Sequence, residues 1–224
     1  MRPQIETYPT REAMAAEVAG LLARRLRSLI DTQGYARIAL AGGSTPAQML
    51  TLLGQKQLDW RAVTVTLTDE RWVAPTDTRS NQRMLGETLL ASGANPNVIP
   101  LYADAPNPET GLADVIDGLA PILPLDIAVL GMGADMHTAS LFPGAEELAA
   151  ALAHDAPPAV ALRPSGDLEP RITLTASTLN AAERHLYIAG LEKKEALDRA
   201  LDLDDRMQAP VLAILDGATV HHAG

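Results

Sequence analysis

Residues 37–53 read RIALAGGSTPAQMLTLL: a short apolar run, two glycines, two hydroxyl residues, a proline, then apolar residues at helical spacing. Ile38-Ala39-Leu40 is apolar without alternation, the pattern of a strand whose sheet is covered by helices on both faces. Gly42 and Gly43 let backbone approach a ligand closely, and Pro46 suits a first helical turn, where its missing N–H is harmless. Such a helix start offers free N–H groups to an anion. Taken alone, the stretch fits a capped strand-to-helix turn equally well. It is no Walker loop, because no Gly-Lys-Ser/Thr follows, and no nucleophile elbow, because Pro46 stands where G-x-S-x-G needs glycine.

The same grammar repeats outward. Met14, Val18, Leu21, Leu22, Leu26, Leu29 and Ile30 form the apolar stripe of a helix with Thr10 as N-cap and Gly34 as stop. Short apolar runs at 37–41, 63–67, 97–101, 126–130, 159–162, 171–175, 185–189 and 211–215 read as strands. Helix-like segments at 46–53, 80–91, 109–119, 176–183 and 191–201 lie between many of them. Alternation of this kind predicts parallel strands with helical crossovers. The expected architecture is one α/β domain over 1–224, a doubly wound, mainly parallel sheet sandwiched between helices. Ligands of such sheets bind beyond the carboxyl ends of the strands, which directs attention to the residues after each run.

Composition narrows the function classes. With 47% hydrophobic and 21% charged residues, the 224-residue chain can bury a sizeable core. Eighteen Lys and Arg against 28 Asp and Glu give a net charge of −10, which repels nucleic acid and anionic membranes. One Phe, two Trp and four Tyr leave no aromatic platform for stacked bases. An anionic small molecule is compatible with this charge if backbone N–H groups and basic side chains gather locally. No cysteine is present, so disulfides, thiolate metal sites and a cysteine nucleophile are excluded. No apolar run approaches the ~18 residues of a spanning helix, and the N-terminus lacks a signal-peptide pattern. The expectation is a cytoplasmic protein, a monomer, with no nucleic-acid or membrane partner.

Two further loops follow strand runs. Thr68-Asp69-Glu70-Arg71-Trp72-Val73, with Ser80-Asn81 downstream, puts polar groups where they bind a ligand or one another; a surface ion pair with a helix cap is the plainer alternative. Leu130-Gly131-Met132-Gly133-Ala134-Asp135-Met136-His137 sets Asp135 two residues before His137, so that the carboxylate can fix one imidazole nitrogen and leave the other as a base. Met136 ends the partial G-x-G-x-x pattern, so the dinucleotide fingerprint fails. Arg171 and Lys193 are positioned to complete an anion clamp, although a solvated face accounts for such residues too. His221 and His222 are expected at a disordered or surface terminus, and His154 and His185 carry no motif.

Taken together, GGSTP, TDERWV with its downstream SN, GMGADMHTASLFPG, RITLT and G-x-x-K-x-x-A-L, spread from about Ile38 to Leu201, resemble the 6-phosphogluconolactonase family. The resemblance implies a three-layer α/β/α sandwich shared with glucosamine-6-phosphate deaminases and ribose-5-phosphate isomerases. It implies hydrolysis of 6-phospho-D-glucono-1,5-lactone without metal or organic cofactor. It assigns the phosphate to Gly42, Gly43, Ser44, Thr45, Arg171 and Lys193, the sugar pocket to Asp69 and Arg71, and the base to His137 beside Asp135. Met136 departs from the family's Asp-Gly-His and puts a side chain where relatives can take a positive φ. A sugar-phosphate isomerase or deaminase on the same fold and a non-catalytic sugar-phosphate sensor are the alternatives. Ala139-Ser140-Leu141-Phe142-Pro143 resembles lactonases, whereas deaminases typically show Asn-Glu-Pro.

Overall fold

The computed structural model of the chain describes residues 3–166 and 168–224. In chain order the elements are β1 (Gln4–Tyr8), α1 (Arg11–Gln33), β2 (Ala36–Leu40), α2 (Ala47–Gly54), β3 (Val63–Leu67), β4 (Asp69–Arg71), α3 (Asn81–Leu85), β5 (Asn97–Val98) and α4 (Pro108–Leu119). There follow β6 (Ile127–Leu130), α5 (Leu148–Ala151), β7 (Ala159–Leu162), β8 (Arg171–Leu174), α6 (Ala176–Asn180), β9 (Glu183–Ala189), α7 (Leu191–Leu203), α8 (Leu212–Leu215) and β10 (Thr219–Ala223). Seven strands form one sheet in the order β1-β10-β9-β6-β2-β3-β5, and every pairing in it is parallel. Helices flank it in the α/β arrangement expected from the alternation. The central strands β2, β3 and β6 are almost entirely buried, which explains their unbroken apolar sequence.

Local chemistry sets the element ends. Thr10 caps α1 by accepting from the Ala13 N–H at 3.1 Å, and Gly34 closes it at φ 84°. Met14, Val18, Leu22 and Leu26 of its stripe are fully buried.

The mainly parallel sheet is joined by a small antiparallel one that the reading did not separate from it: β7 and β8 pair antiparallel, and Asp69-Glu70-Arg71 adds a third strand to them. Three other expectations are corrected. Residues 211–215 end in the helix α8 rather than a strand; Ala213, Ile214 and Leu215 are buried, and a short apolar run does not by itself separate the two. The segment 176–183 is helical only to Asn180, since Glu183 already opens β9. Finally, His221 and His222 lie in β10, an interior strand between β1 and β9, with His221 1% exposed. The strands at Gln4–Tyr8 and Thr219–Ala223 escaped the pattern reading because charged, hydroxyl and imidazole side chains interrupt it.

Candidate active site

The order of strand addition reverses at the β2–β6 pair: from β2 the chain builds outward through β3 and β5, and from β6 through β9 and β10 on the other side. Loops leaving the two neighbours part there and open a crevice beyond the strand ends. A cavity of about 390 Å³ fills it, walled by the loop after β2, the loop after β6, Asp69, Arg71, Arg171 and Lys193. All ten candidate residues except Asp135 line this cavity.

The first loop carries Gly42, Gly43, Ser44 and Thr45. Among the described residues, the N–H groups of Gly43, Ser44 and Thr45 have no protein partner. Asn81 presses against this loop so tightly that a Cβ on Gly42 would lie 2.1 Å from its side chain. Asn81 Nδ2 donates to the Asp69 carbonyl at 2.9 Å, and its Oδ1 accepts from Arg71 Nη1 at 3.0 Å. The buried Glu70 organises this corner by accepting from the N–H groups of Arg71 (2.7 Å), Asn81 (2.8 Å) and Gln82 (2.7 Å) and from Ser80 Oγ (3.1 Å). Burial pushes its carboxyl above the usual range against the pull of those four donors. Ser80 caps α3 by accepting from the Arg83 N–H at 3.1 Å, and Glu70 of β4 takes the first-turn N–H groups of Asn81 and Gln82, so the cap anticipated in this motif is buried rather than on the surface.

Arg71 and Arg171 stand directly opposite each other in the β4–β8 ladder. Asp69 is tied down between them and the second loop: its Oδ2 accepts from Ser140 Oγ at 2.5 Å, its Oδ1 from Thr68 Oγ1 at 3.2 Å, and Arg171 Nη1 lies 3.9 Å away. Burial lowers the Arg171 pKa, with Asp69 opposing and Arg71 reinforcing the shift.

In the second loop, Asp135 Oδ1 accepts from His137 Nδ1 at 2.5 Å. Burial pushes the Asp135 carboxyl up, but the hydrogen bond and charge of His137 outweigh it and hold it below the usual range. The pair folds over Gly133, where a Cβ would sit 2.2 Å from His137 Nδ1 and 2.3 Å from Asp135 Oδ1. Only glycine accommodates that approach. Met136 takes φ 69° between the two, so the left-handed turn is kept without glycine. Phe142, the sole Phe, lies with its ring centroid 4.2 Å from that of His137, and the Arg171 guanidinium stands 5.7 Å from the ring on the same cluster.

Helix α7 separates its two lysines. Lys193 lines the cavity, whereas Lys194 Nζ is bound to both carboxylate oxygens of Asp198 at 2.6 Å. Tyr187, Asn81 and Phe142 also line the cavity without having been assigned a role, and Glu70 and Ser140 stand behind it. Burial pushes the Tyr187 hydroxyl up to about 12. Ser80-Asn81 was the visible signal for Asn81; nothing in the pattern marked Tyr187. Among the described residues, no group of three His, Cys, Asp or Glu side chains is gathered to hold a metal ion, and no helix is long and apolar enough to cross a membrane.

Three comparisons bear on this cavity. A family model described as glucosamine-6-phosphate isomerases/6-phosphogluconolactonase matches residues 9–222. A 6-phosphogluconolactonase of Rhizobium meliloti is 39% identical over 219 residues, 96% of this chain and 94% of that protein, and one of Mesorhizobium japonicum is 37% identical over 215 residues, 94% and 90%. The crystal structure of a 6-phosphogluconolactonase from Shewanella baltica superposes with a TM-score of 0.95 at 32% identity, covering 99% of this chain and 98% of that one. The Trypanosoma brucei 6-phosphogluconolactonase structure gives 0.83 at 26% identity, covering 99% and 96%.

Proposed function

The chain belongs to the glucosamine-6-phosphate isomerase/6-phosphogluconolactonase family, and from that premise we propose that it hydrolyses 6-phospho-D-glucono-1,5-lactone to 6-phospho-D-gluconate, the lactone-opening step of the oxidative pentose phosphate pathway. It is an enzyme of the lactonase side of the family. The free N–H groups of Gly43, Ser44 and Thr45 take the phosphate together with Lys193 and Arg171, and Arg71 and Asp69 orient the sugar hydroxyls.

The observation that carries the reading is the state of the cavity's ionisable groups. Its one lining carboxylate among the described residues, Asp69, is already held by Ser140, Thr68 and Arg171. His137 remains as the base: its Nδ1 donates to Asp135, which leaves Nε2 without a protein partner among the described residues. The imidazole removes a proton from water as the oxygen attacks the lactone carbonyl, and returns it to the ring oxygen when the C–O bond breaks. The bound phosphate, remote from the carbonyl, holds the ring still for both steps. The Ala139-Ser140-Leu141-Phe142-Pro143 segment and the 6-phosphogluconolactonase relatives favour hydrolysis over isomerisation or deamination, and the intact Asp135–His137 pair speaks against a sensor without turnover.

The test is hydrolysis of freshly made lactone, corrected for its spontaneous opening, in excess chelator. Turnover above background that persists with EDTA is expected. His137→Ala should lower kcat by about 10²–10⁴ while product still binds; near-normal turnover of that variant would remove His137 from the mechanism.

A further inference from the structure

Like charges set directly opposite in an antiparallel ladder repel, and Arg71 and Arg171 are such a pair. Among the described residues, neither has a carboxylate within hydrogen-bond distance. Arg171 lies 3.9 Å from Asp69 and 4.0 Å from Glu169. Arg71 Nη1 donates instead to neutral oxygens, the Arg79 carbonyl at 2.5 Å and Asn81 Oδ1 at 3.0 Å. Both guanidinium groups nevertheless lead back to one residue outside the cavity wall.

That residue is Arg79. Its carbonyl takes the Arg71 proton, and its side chain makes an ion pair with Glu169. Glu169 in turn accepts from Arg171 Nε through its own carbonyl at 3.2 Å and sets its carboxylate 4.0 Å from Nη2. Asp77 anchors the assembly by accepting from the Arg79 N–H at 2.9 Å, from Nε at 3.1 Å and from Nη2 at 3.0 Å. Below it, the Trp72 N–H donates to the Pro170 carbonyl at 2.8 Å, so the two chain segments that bear the arginines are joined at the same level.

We propose that Arg79 is a positioning residue for the phosphorylated substrate: through its carbonyl and through Glu169 it sets the direction of Arg71 and Arg171 before the ligand arrives. The proposal rests on the phosphate-binding reading given above. Long basic side chains fixed in advance lose less entropy on binding, while an exposed ion pair contributes little to stability. Arg79 therefore acts on affinity, leaving both the fold and the chemistry at His137 untouched.

Arg79→Ala and Glu169→Gln should each raise KM for the lactone, and weaken calorimetric binding of 6-phosphogluconate, by roughly three- to fivefold, with kcat and Tm unchanged. The double variant should be no worse than either single one, because both cut one strap. Arg79→Lys, which keeps a charge for Glu169 without the fork to Asp77, should recover part of the loss. Arg61→Ala, which breaks an exposed pair with Asp59 elsewhere, should change nothing. Unchanged KM and product affinity in both single variants, or losses that multiply in the double variant, would overturn the strap. Lys193→Ala measured alongside separates the two levels: normal binding in that variant overturns the phosphate reading itself, whereas impaired binding there with normal Arg79→Ala overturns only the role of Arg79.

Discussion

Met136 holds a φ of 69°, a region that costs an L side chain roughly 1–2 kcal/mol. Its N–H donates to the Gly133 carbonyl at 3.1 Å, its carbonyl accepts from the Val211 N–H at 3.1 Å, and its side chain packs on the main core. Both backbone bonds hold the turn that brings Asp135 onto His137, and apolar burial offsets the strain. Met136→Gly is accordingly expected to keep kcat and to change stability by less than about 1 kcal/mol, relief of strain balancing lost packing. Met136→Val, β-branched and stiff, should lower Tm and kcat together. If Met136→Gly lost activity, the side chain would have a role beyond filling its position. Gly133 is less forgiving. A methyl group 2.2 Å from His137 Nδ1 must displace the imidazole, so Gly133→Ala should reduce kcat by about 10²-fold while product affinity stays near normal. Affinity lost in proportion would show that the loop also holds the phosphate.

Helix α7 makes the corresponding argument for an element. Adjacent lysines on a helix point about 100° apart, and here one faces the cavity while the other pairs with Asp198 one turn on. Lys193→Ala should weaken 6-phosphogluconate binding by roughly 2–4 kcal/mol in calorimetric titration, and Lys194→Ala should leave it unchanged; the reverse order would invert the assignment. The choice of Lys193 rests on the family resemblance through its G-x-x-K motif; α1 with its two caps and the central strands β2, β3 and β6 were legible in the sequence itself, where one physical signal dominates. Legibility failed where two signals compete. Asp69-Glu70-Arg71 shows no apolar alternation because all three side chains are charged, with Asp69 and Arg71 lining the cavity, so its strand is visible only in its pairing with Arg171. Val211–Leu215 carries the composition of a strand, and packing against α6 and β9 decides for a helix. The arginine pair and its strap escaped for the same reason: Arg71, Arg79, Glu169 and Arg171 meet only through the antiparallel sheet that the alternation concealed.

Across the whole molecule, β1, β10 and β9 are joined by a buried polar chain. Glu183 only accepts, so His185 Nε2 donates to it at 3.2 Å; His185 Nδ1 then accepts from His221 Nε2 at 3.0 Å, and His221 Nδ1 from the Tyr8 hydroxyl at 2.9 Å. Arg25 holds the far side of Glu183. The chain is satisfied with both rings neutral, whereas two imidazolium rings would set N–H against N–H. Burial lowers His221 to about 4, helped by His185, and lowers His185 against the opposing charge of Glu183. These groups bind fewer protons folded than unfolded, so stability is complete above the unfolded value near ~6.5 and declines as pH falls from there towards 4, where His221 itself protonates. A shift of that size for His221 alone corresponds to about 3 kcal/mol once pH has reached its folded value. Urea unfolding should therefore lose stability between pH 7 and 4.5, and His221→Asn, although less stable at pH 7, should show a flatter profile across that window. Equal slopes in the two proteins would mean that another group, not this pair, sets the acid limit of the fold.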